Sequence, residues 1–412
     1  MKNTFIFCFA VLLILVACSG RSPHPNGTGT DAPSDAPATQ QPQTPVRPTV
    51  NVYIENSGSM DGYVKGVTGF EQAVYSYLSD IKISRITDTL NLFYINSTII
   101  SRGSDIADFI EKLEPSDFKQ KGGNLGVSDI ANILNSVLDK TSQNKISILV
   151  TDGIFSPGKK GKEASEYLIN QQISIKRRMA EYLRRYPNTA VIVYQLYSNF
   201  NGTYYNNIDN GIKINEQRPF YIWVIGDAKQ VSKLREKVPD SRFKGSGVQH
   251  VFTSISGNHL VAYALNPSVG SYKKSKTQHT IENLEKDRHT KQVKFAVDVN
   301  FSNLLLDSSY LTNLDNYENN SRYTLKIEPN AKSGRGYTHT LRFTASDNRV
   351  HKGEVSVKLK AKLPDWVEDV NDDNGSTAVS GKTYGIKYQL GGIYEAFTFE
   401  NNYYTEIKIN IN

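Results

Sequence analysis

Hydrophobic residues follow two different periodicities along this chain. Up to about residue 265, short apolar runs typical of buried strands alternate with stretches whose apolar residues recur at helical spacing. This alternation predicts an α/β fold, with a doubly wound, mostly parallel sheet and helices on both faces. The predicted strands are Val50–Ile54, Thr89–Asn96, Lys145–Val150, Thr189–Leu196, Pro219–Ile225 and Val248–Thr253, with a short edge strand at Thr98–Ile100. The predicted helices are Phe70–Ile83, Ile106–Leu113, Ile130–Leu138, Lys162–Tyr186 and Ala228–Val238.

In the last third of the chain the apolar residues recur at every second position, as in strands with one buried face. This pattern predicts a β-rich, sandwich-like domain. We therefore divide the folded part into residues 49–265 and 266–412. The paired glycines in Tyr384–Phe397 leave that segment open between a strand and a short helix. The predicted strands are Gln292–Phe301, Arg322–Ile327, Thr338–Thr344, Gly353–Leu359 and Tyr403–Ile411.

The amino terminus has the composition of an export signal. Lys2 precedes the short apolar run Phe5–Val16, which is followed by Leu-Val-Ala-Cys ending at Cys18. This ending resembles the bacterial lipobox, so residues 1–18 are predicted to be a lipoprotein signal peptide and Cys18 to carry the lipid. The alternative is an ordinary signal peptide that is cleaved elsewhere.

Residues 19–48 are rich in Pro, Ser and Thr and poor in large apolar side chains. Such a segment cannot bury a core, so we expect a disordered tether between the lipid and the folded part. The expected localisation is the bacterial cell envelope, anchored to a membrane. Ser19 and the absence of an acidic run after Cys18 resemble the sorting signals of lipoproteins that face the periplasm.

Polar residues follow two of the predicted strands and precede one predicted helix. Glu55, Ser57 and Ser59 follow the first strand, and Asp152 follows Lys145–Val150. Ser128 lies in a glycine-rich loop before the helix Ile130–Leu138. Open α/β sheets bind ligands at the carboxyl ends of their strands, and carboxylate and hydroxyl oxygens suit a hard cation such as Mg²⁺.

These three segments, in this order, resemble the metal-ion-dependent adhesion site of von Willebrand factor A (VWA) domains. The first family motif is Asp-x-Ser-x-Ser, and Glu55 stands where the family has Asp. Ser128 stands where the family has Thr. The resemblance covers residues 49–265 and implies that Mg²⁺ or Mn²⁺ is held by a set of five residues. They are Glu55, Ser57, Ser59, Ser128 and Asp152.

The resemblance also implies a function. Neutral hydroxyl ligands leave the ion electron-poor, so it would accept an acidic residue of a macromolecular partner as its last ligand. Because Mg²⁺ tolerates little geometric error, the extra methylene of Glu55 leaves three outcomes open. Glu55 ligates the ion directly, displaces a hydroxyl ligand, or leaves a degenerate site without metal.

The sequence is compatible with three classes of function. The first is a non-enzymatic protein that binds an unidentified macromolecule; the second is a structural envelope protein with a metal-free fold. The third is a metal-dependent hydrolase or hydrolase accessory, which the absence of H-E-x-x-H and G-x-S-x-G motifs disfavours. The net charge of +7 comes without a clustered basic stripe, which argues against nucleic acid as a partner. We therefore predict a binding protein rather than an enzyme.

Overall fold

The computed structural model describes residues 47–120, 122–125, 129–155, 164–256, 261–330 and 336–412. The predicted signal peptide with Cys18, nearly all of the predicted tether, and Ser128 lie outside these ranges. Across the described ranges, no helix combines the length and apolar character needed to cross a membrane.

The described residues alternate between strands and helices over the first half and are richer in strands afterwards. The helices are α1 Gly69–Ile83, α2 Ile106–Glu111, α3 Pro115–Gln120, α4 Ile130–Lys140, α5 Ala164–Arg185, α6 Ala228–Lys237, α7 Ser308–Thr312, α8 Trp366–Asp369 and α9 Ile386–Phe397. The strands are β1 Thr49–Glu55, β2 Leu90–Ile95, β3 Ile99–Ser101, β4 Lys145–Thr151, β5 Thr189–Tyr205, β6 Gly211–Asp227, β7 His250–Ile255, β8 Ala262–Leu265, β9 Ser271–Lys274, β10 Thr280–Glu285, β11 Lys294–Asn300, β12 Tyr317–Asn319, β13 Tyr323–Pro329, β14 His339–Ala345, β15 Gly353–Lys360, β16 Asn371–Asp372, β17 Thr383–Tyr384 and β18 Tyr403–Ile411.

The first sheet is mixed and has the strand order β3-β2-β1-β4-β6-β5-β7. Strand β1 pairs in parallel with both β2 and β4, and the other pairings in this sheet are antiparallel. It follows from these pairings that β1, β2, β4 and β5 run in one direction. The prediction of an α/β fold with additional β-rich structure is confirmed at this level.

Both faces of the first sheet are covered, because alternate residues of β1 enter different cores. Val50, Val52 and Ile54 pack on one side with residues of α1 and α6, whereas Tyr53 packs on the other side with α4 and α5. Burial on both faces explains the near-continuous apolar character of this strand. Helix α1 begins where the sequence predicts, since the Thr68 hydroxyl accepts a hydrogen bond from the Glu71 backbone N–H at 3.1 Å.

Strands β5 and β6 extend well beyond their predicted ends and form one long hairpin. Residues 197–218 lie between the predicted strands Thr189–Leu196 and Pro219–Ile225. The structure makes them the outer half of this hairpin, paired from Tyr197 with Pro219 to Tyr205 with Gly211. We call residues 197–218 the hairpin extension.

The carboxy-terminal part contains two further sheets that share one hydrophobic core. Their strand orders are β12-β15-β18-β10-β9 and β13-β14-β11-β8. Their pairings are antiparallel except for β10 with β18. Strand β8, which the sequence placed in residues 49–265, pairs with β11 and therefore belongs to this second group of sheets.

One segment leaves the carboxy-terminal sheets and completes the core of the first sheet. Strands β15 and β18 are antiparallel neighbours, yet residues 361–402 between them include α8 and α9. Helix α9 packs on α5, where a Cβ on Gly392 would lie only 2.7 Å from the backbone oxygen of Gln172. The glycine pair therefore permits close helix packing. The predicted carboxy-terminal domain thus supplies a helix to the predicted first domain.

Candidate metal centre

The candidate site lies between two adjacent parallel strands. The chain proceeds from β1 to β2 on one side of β1, and β4 lies on its other side. A crevice outside the carboxyl ends of strands forms where the direction of chain progression reverses in this way. Glu55 ends β1, and Asp152 directly follows β4. Topology therefore brings these two carboxylates together although 96 positions separate Glu55 from Thr151, the residue before Asp152.

Hydroxyl groups surround the Glu55 carboxylate. Ser57 Oγ donates to Glu55 Oε1 at 2.6 Å, and Thr151 Oγ1 donates to Glu55 Oε2 at 2.5 Å. The Oγ atoms of Ser57 and Ser59 are 3.0 Å apart. Four oxygen-bearing side chains from the ends of two strands are thus linked in one cluster. Thr151, the last residue of β4, was not among the five predicted ligands, although it directly precedes Asp152.

The Asp152 carboxylate is only partly satisfied. Its Oδ1 accepts a hydrogen bond from the Ile154 backbone N–H at 3.0 Å, and Ser59 also hydrogen-bonds to the carboxylate. Its Oδ2 is buried without a hydrogen-bond partner among the described residues. Burial first, and then repulsion from Glu55, raise the pKa of Asp152 from its ordinary value of 3.8 to about 7. A positive ion beside these carboxylates would offset their repulsion and stabilise their charged forms in the buried site.

The cluster is closed to solvent. Glu55 and Asp152 are 0% and 1% exposed, and Ser59 is 7% exposed. The hairpin extension covers the turn that carries the serines, since a Cβ on Gly62 would lie 2.4 Å from the Phe200 ring. The hydroxyl and carboxylate groups of the cluster are therefore shielded from bulk solvent.

Asn96 and residues 122–125 hold in place the turn that follows β1. Asn96 Nδ2 donates to Asn56 Oδ1 and to the Gly122 carbonyl, both at 3.0 Å. The Gly58 backbone N–H donates to the Leu125 carbonyl at 3.0 Å. The structure therefore places residues 122–125 of the glycine-rich loop beside the turn that follows β1. Ser128 itself lies outside the described residues.

The structure adds a buried cation that the sequence did not indicate. Arg218 is 2% exposed, and its guanidinium lies 5.2 Å from the centre of the Tyr204 ring. It donates to the Val379 carbonyl at 2.7 Å and to Glu216 at 3.3 Å. Its charge lowers the pKa of Asp152, but less than burial and Glu55 raise it. Arg218 therefore offsets only part of the negative charge of the cluster.

Composition distinguishes this cluster from sites built only on acids, histidines and cysteines. Over the described ranges, no group of three or more His, Cys, Asp or Glu side chains is arranged to hold a metal. The candidate centre instead combines two carboxylates with the hydroxyls of Ser57, Ser59 and Thr151. Asp129, adjacent to the motif, caps α4 by accepting from the Asn132 backbone N–H at 3.1 Å.

Comparisons with protein-family models, curated proteins and solved structures found no match to this chain. The site is therefore interpreted from its own residues and their geometry.

Proposed function

We propose that this chain is a lipid-anchored, periplasm-facing envelope protein whose VWA-like α/β domain binds a macromolecular partner through a divalent cation. The observation that carries the proposal is the buried pair Glu55 and Asp152, with one oxygen of Asp152 unpartnered among the described residues. Two repelling carboxylates in a closed site are costly unless a proton or a cation lies between them.

The residues present fit Mg²⁺ or Mn²⁺. Both ions prefer oxygen ligands, and Mg²⁺ retains several waters. Ser57, Ser59 and Asp152 would hold the ion together with Ser128, while Glu55 contacts the ion or orients the Ser57 hydroxyl. The 2.6 Å hydrogen bond from Ser57 to Glu55 supports the orienting role. When bound, the ion supplies an electron-poor centre for a partner's carboxylate.

A second candidate is a structural envelope protein of the same fold without metal. The complete burial of the cluster and the raised pKa of Asp152 favour it, because a proton held by the pair would take the place of the ion. We propose binding rather than catalysis as the role of this site.

Millimolar Mg²⁺ or Mn²⁺ is expected to raise the melting temperature of the full chain. An ion that binds only the native state stabilises it by about 2.7 kcal/mol at a hundredfold excess over the dissociation constant. Asp152→Ala should abolish the shift, whereas Asp108→Ala, an exposed carboxylate on α2, should leave it unchanged. Thermal melts with each ion and with chelator measure this. If neither ion shifts the wild-type melt, the metal-free candidate is favoured. A shift that remains in Asp152→Ala would mean that the ion binds elsewhere and would contradict the proposed site.

Glu55→Asp restores the family residue, so the Mg²⁺ response should be equal or larger. The shorter side chain loses reach to Thr151, so the same variant should be less stable than wild type in chelator. Paired melts with and without Mg²⁺ separate the two effects. Loss of the response in Glu55→Asp would show that the longer carboxylate is needed.

The lipid anchor is tested separately from the metal. Cys18→Ser should abolish acyl labelling and release the protein from the membrane fraction, because the thiol is the proposed attachment point. Radiolabelled palmitate incorporation and fractionation measure the two effects. Unchanged labelling in Cys18→Ser would contradict the anchor.

A further inference from the structure

Four hydrogen bonds tie the hairpin extension to one surface stretch of the chain. The base of the extension is also bonded to Gly69, Phe70 and Ser246. We call the surface stretch, residues 375–383, the strap; it belongs to the segment between β15 and β18. Backbone carbonyls of the strap accept hydrogen bonds from the start, the tip and the end of the extension. The donors and acceptors are Tyr197 OH to Gly381 O at 3.1 Å, Asn206 Nδ2 to Ser376 O at 3.1 Å, Asn207 N to Gly375 O at 2.8 Å and Arg218 to Val379 O at 2.7 Å.

The extension in turn closes the carboxylate cluster. A Cβ on Gly202 would lie 2.6 Å from the Cα of Gly62, so the backbones of the extension and of the turn are in direct contact. A Cβ on Gly58 would lie 3.3 Å from the Tyr205 hydroxyl. Contacts therefore run from the strap through the extension to the turn that carries Ser59.

The strap and the extension differ in how firmly they are packed. Phe200 and Tyr204 of the extension are 3% and 2% exposed, so lifting the extension exposes two aromatic side chains. Much of the strap lies at the surface, and Val379 is 39% exposed. Segments with few buried apolar contacts open locally at lower cost than packed ones. The strap is therefore the part that can be displaced first.

We propose that the strap controls access to the carboxylate cluster, so that a ligand or protein that displaces residues 375–383 allows the extension to open. The entry of a partner's carboxylate rests on the proposed function. Closure of the cluster by the extension is independent of that function. This arrangement explains how a centre that is closed in the structure can still receive a ligand.

The first test measures access to Ser59 by thiol labelling. In the full chain with Cys8→Ser and Cys18→Ser, the change Ser59→Cys introduces the sole thiol. Asn206→Asp removes the donor to the strap but keeps the oxygen that accepts from the Ile208 and Asn210 backbone N–H groups.

Adding Tyr197→Phe to Asn206→Asp removes a second bond to the strap. The combined change should accelerate iodoacetamide labelling in chelator about tenfold or more, since two hydrogen bonds that favour closure are lost. The matched control makes the same two chemical changes elsewhere, at the exposed Tyr75 and Asn401. Tyr75→Phe with Asn401→Asp should leave the rate unchanged.

A second measurement leaves the cluster intact in case Ser59→Cys fails to fold. Hydrogen exchange of the peptide spanning residues 57–62 should quicken in Asn206→Asp with Tyr197→Phe and not in the control pair. Exchange of the β14 peptide, whose buried residues belong to the separate core of the carboxy-terminal sheets, should match wild type. The proposal is overturned if labelling and exchange are unchanged in Asn206→Asp with Tyr197→Phe, the strap variant. It is also overturned if Ser59→Cys without these two changes is labelled as fast as a free thiol.

Mn²⁺ uptake separates this proposal from the proposed function. Loss of the electron paramagnetic resonance signal of free Mn²⁺ reports binding, and uptake should be faster in the strap variant. If no variant binds Mn²⁺, the proposed function fails, while labelling and exchange still decide whether the strap controls access. If Mn²⁺ binds at equal rates and labelling is also unchanged, the cation site stands and the strap proposal falls.

Discussion

A protein fragment that ends at residue 265 is expected not to fold, although the sequence predicts a domain boundary there. Helix α9 buries Ile386, Leu390 and Ile393 completely in the core formed with α5 and the first sheet. Burial of one such side chain contributes about 1.5–3 kcal/mol, so the three together contribute roughly 5–9 kcal/mol. Whole domains are stable by only about 5–15 kcal/mol. Loss of α9 therefore removes a free energy comparable to the whole stability of a domain, and we expect the fragment not to fold.

The test compares a fragment of residues 47–265 with a chain of residues 47–412. Near-ultraviolet circular dichroism and thermal melting measure whether each one folds. In the longer chain, Leu390→Ala should cost about 2–5 kcal/mol, the range for large-to-small core substitutions. Phe399→Ala removes a larger side chain that is 75% exposed and should cost little. A cooperative melt of residues 47–265, with a native-like aromatic signal, would show that the first sheet does not need α9.

Without divalent ions, the free energy of unfolding should fall as the pH rises from about 4 to about 7. The pKa of Asp152 is 3.8 in its ordinary state and about 7 in the fold, so the native state holds a proton that the unfolded chain has released. Stability therefore decreases with pH across this window. The difference between 3.8 and about 7 corresponds to about 4 kcal/mol.

Asp152→Asn removes this titration and one of the two repelling charges. Its unfolding free energy should exceed that of wild type above pH 7, and the difference should vanish near pH 4. Asp108→Asn, at an exposed position on α2, is the matched control and should follow wild type at every pH. Urea unfolding in chelator between pH 4 and 8 gives the curves. If the wild-type and Asp152→Asn curves stay parallel, the Glu55–Asp152 pair does not destabilise the native state as the pH rises.

Saturating Mg²⁺ should flatten the wild-type curve, because the ion takes the place of the proton between the carboxylates. Asp152→Asn should show no such change. This comparison uses the same samples and separates the two proposed states of the cluster, one with a cation and one with a shared proton.

The sequence predicted those elements whose apolar residues repeat with a clear period. Strand β1 and helix α1 are examples, because tertiary packing follows the same pattern that the sequence displays. The additional length of β5 and β6 was missed, since the outer half of β6 alternates exposed and half-buried residues of which only Ile212 and Ile214 are apolar. Pairing along the hairpin, rather than burial, defines these strands.

For the site, the sequence identified the residues that follow strands but not those that act through long-range contacts. Glu55, Ser57, Ser59 and Asp152 come together because each lies at the end of one of two adjacent strands. Arg218 comes from a polar run whose burial depends on the extension folding back, which no local pattern reveals. Helix α9 was ambiguous because Gly391 and Gly392 reduce helix propensity while serving its packing.

The position of α9 in the chain also determines when the first sheet can be completed during synthesis. Gln172 of α5 and Glu395 of α9 form a hydrogen bond across 223 positions. At about 5–20 residues per second, roughly 10–45 s separate the emergence of these two residues. During that interval α5 and one face of the sheet keep their apolar surfaces uncovered. The nascent chain should therefore keep this apolar surface exposed, and accessible to chaperones, until α9 has been made.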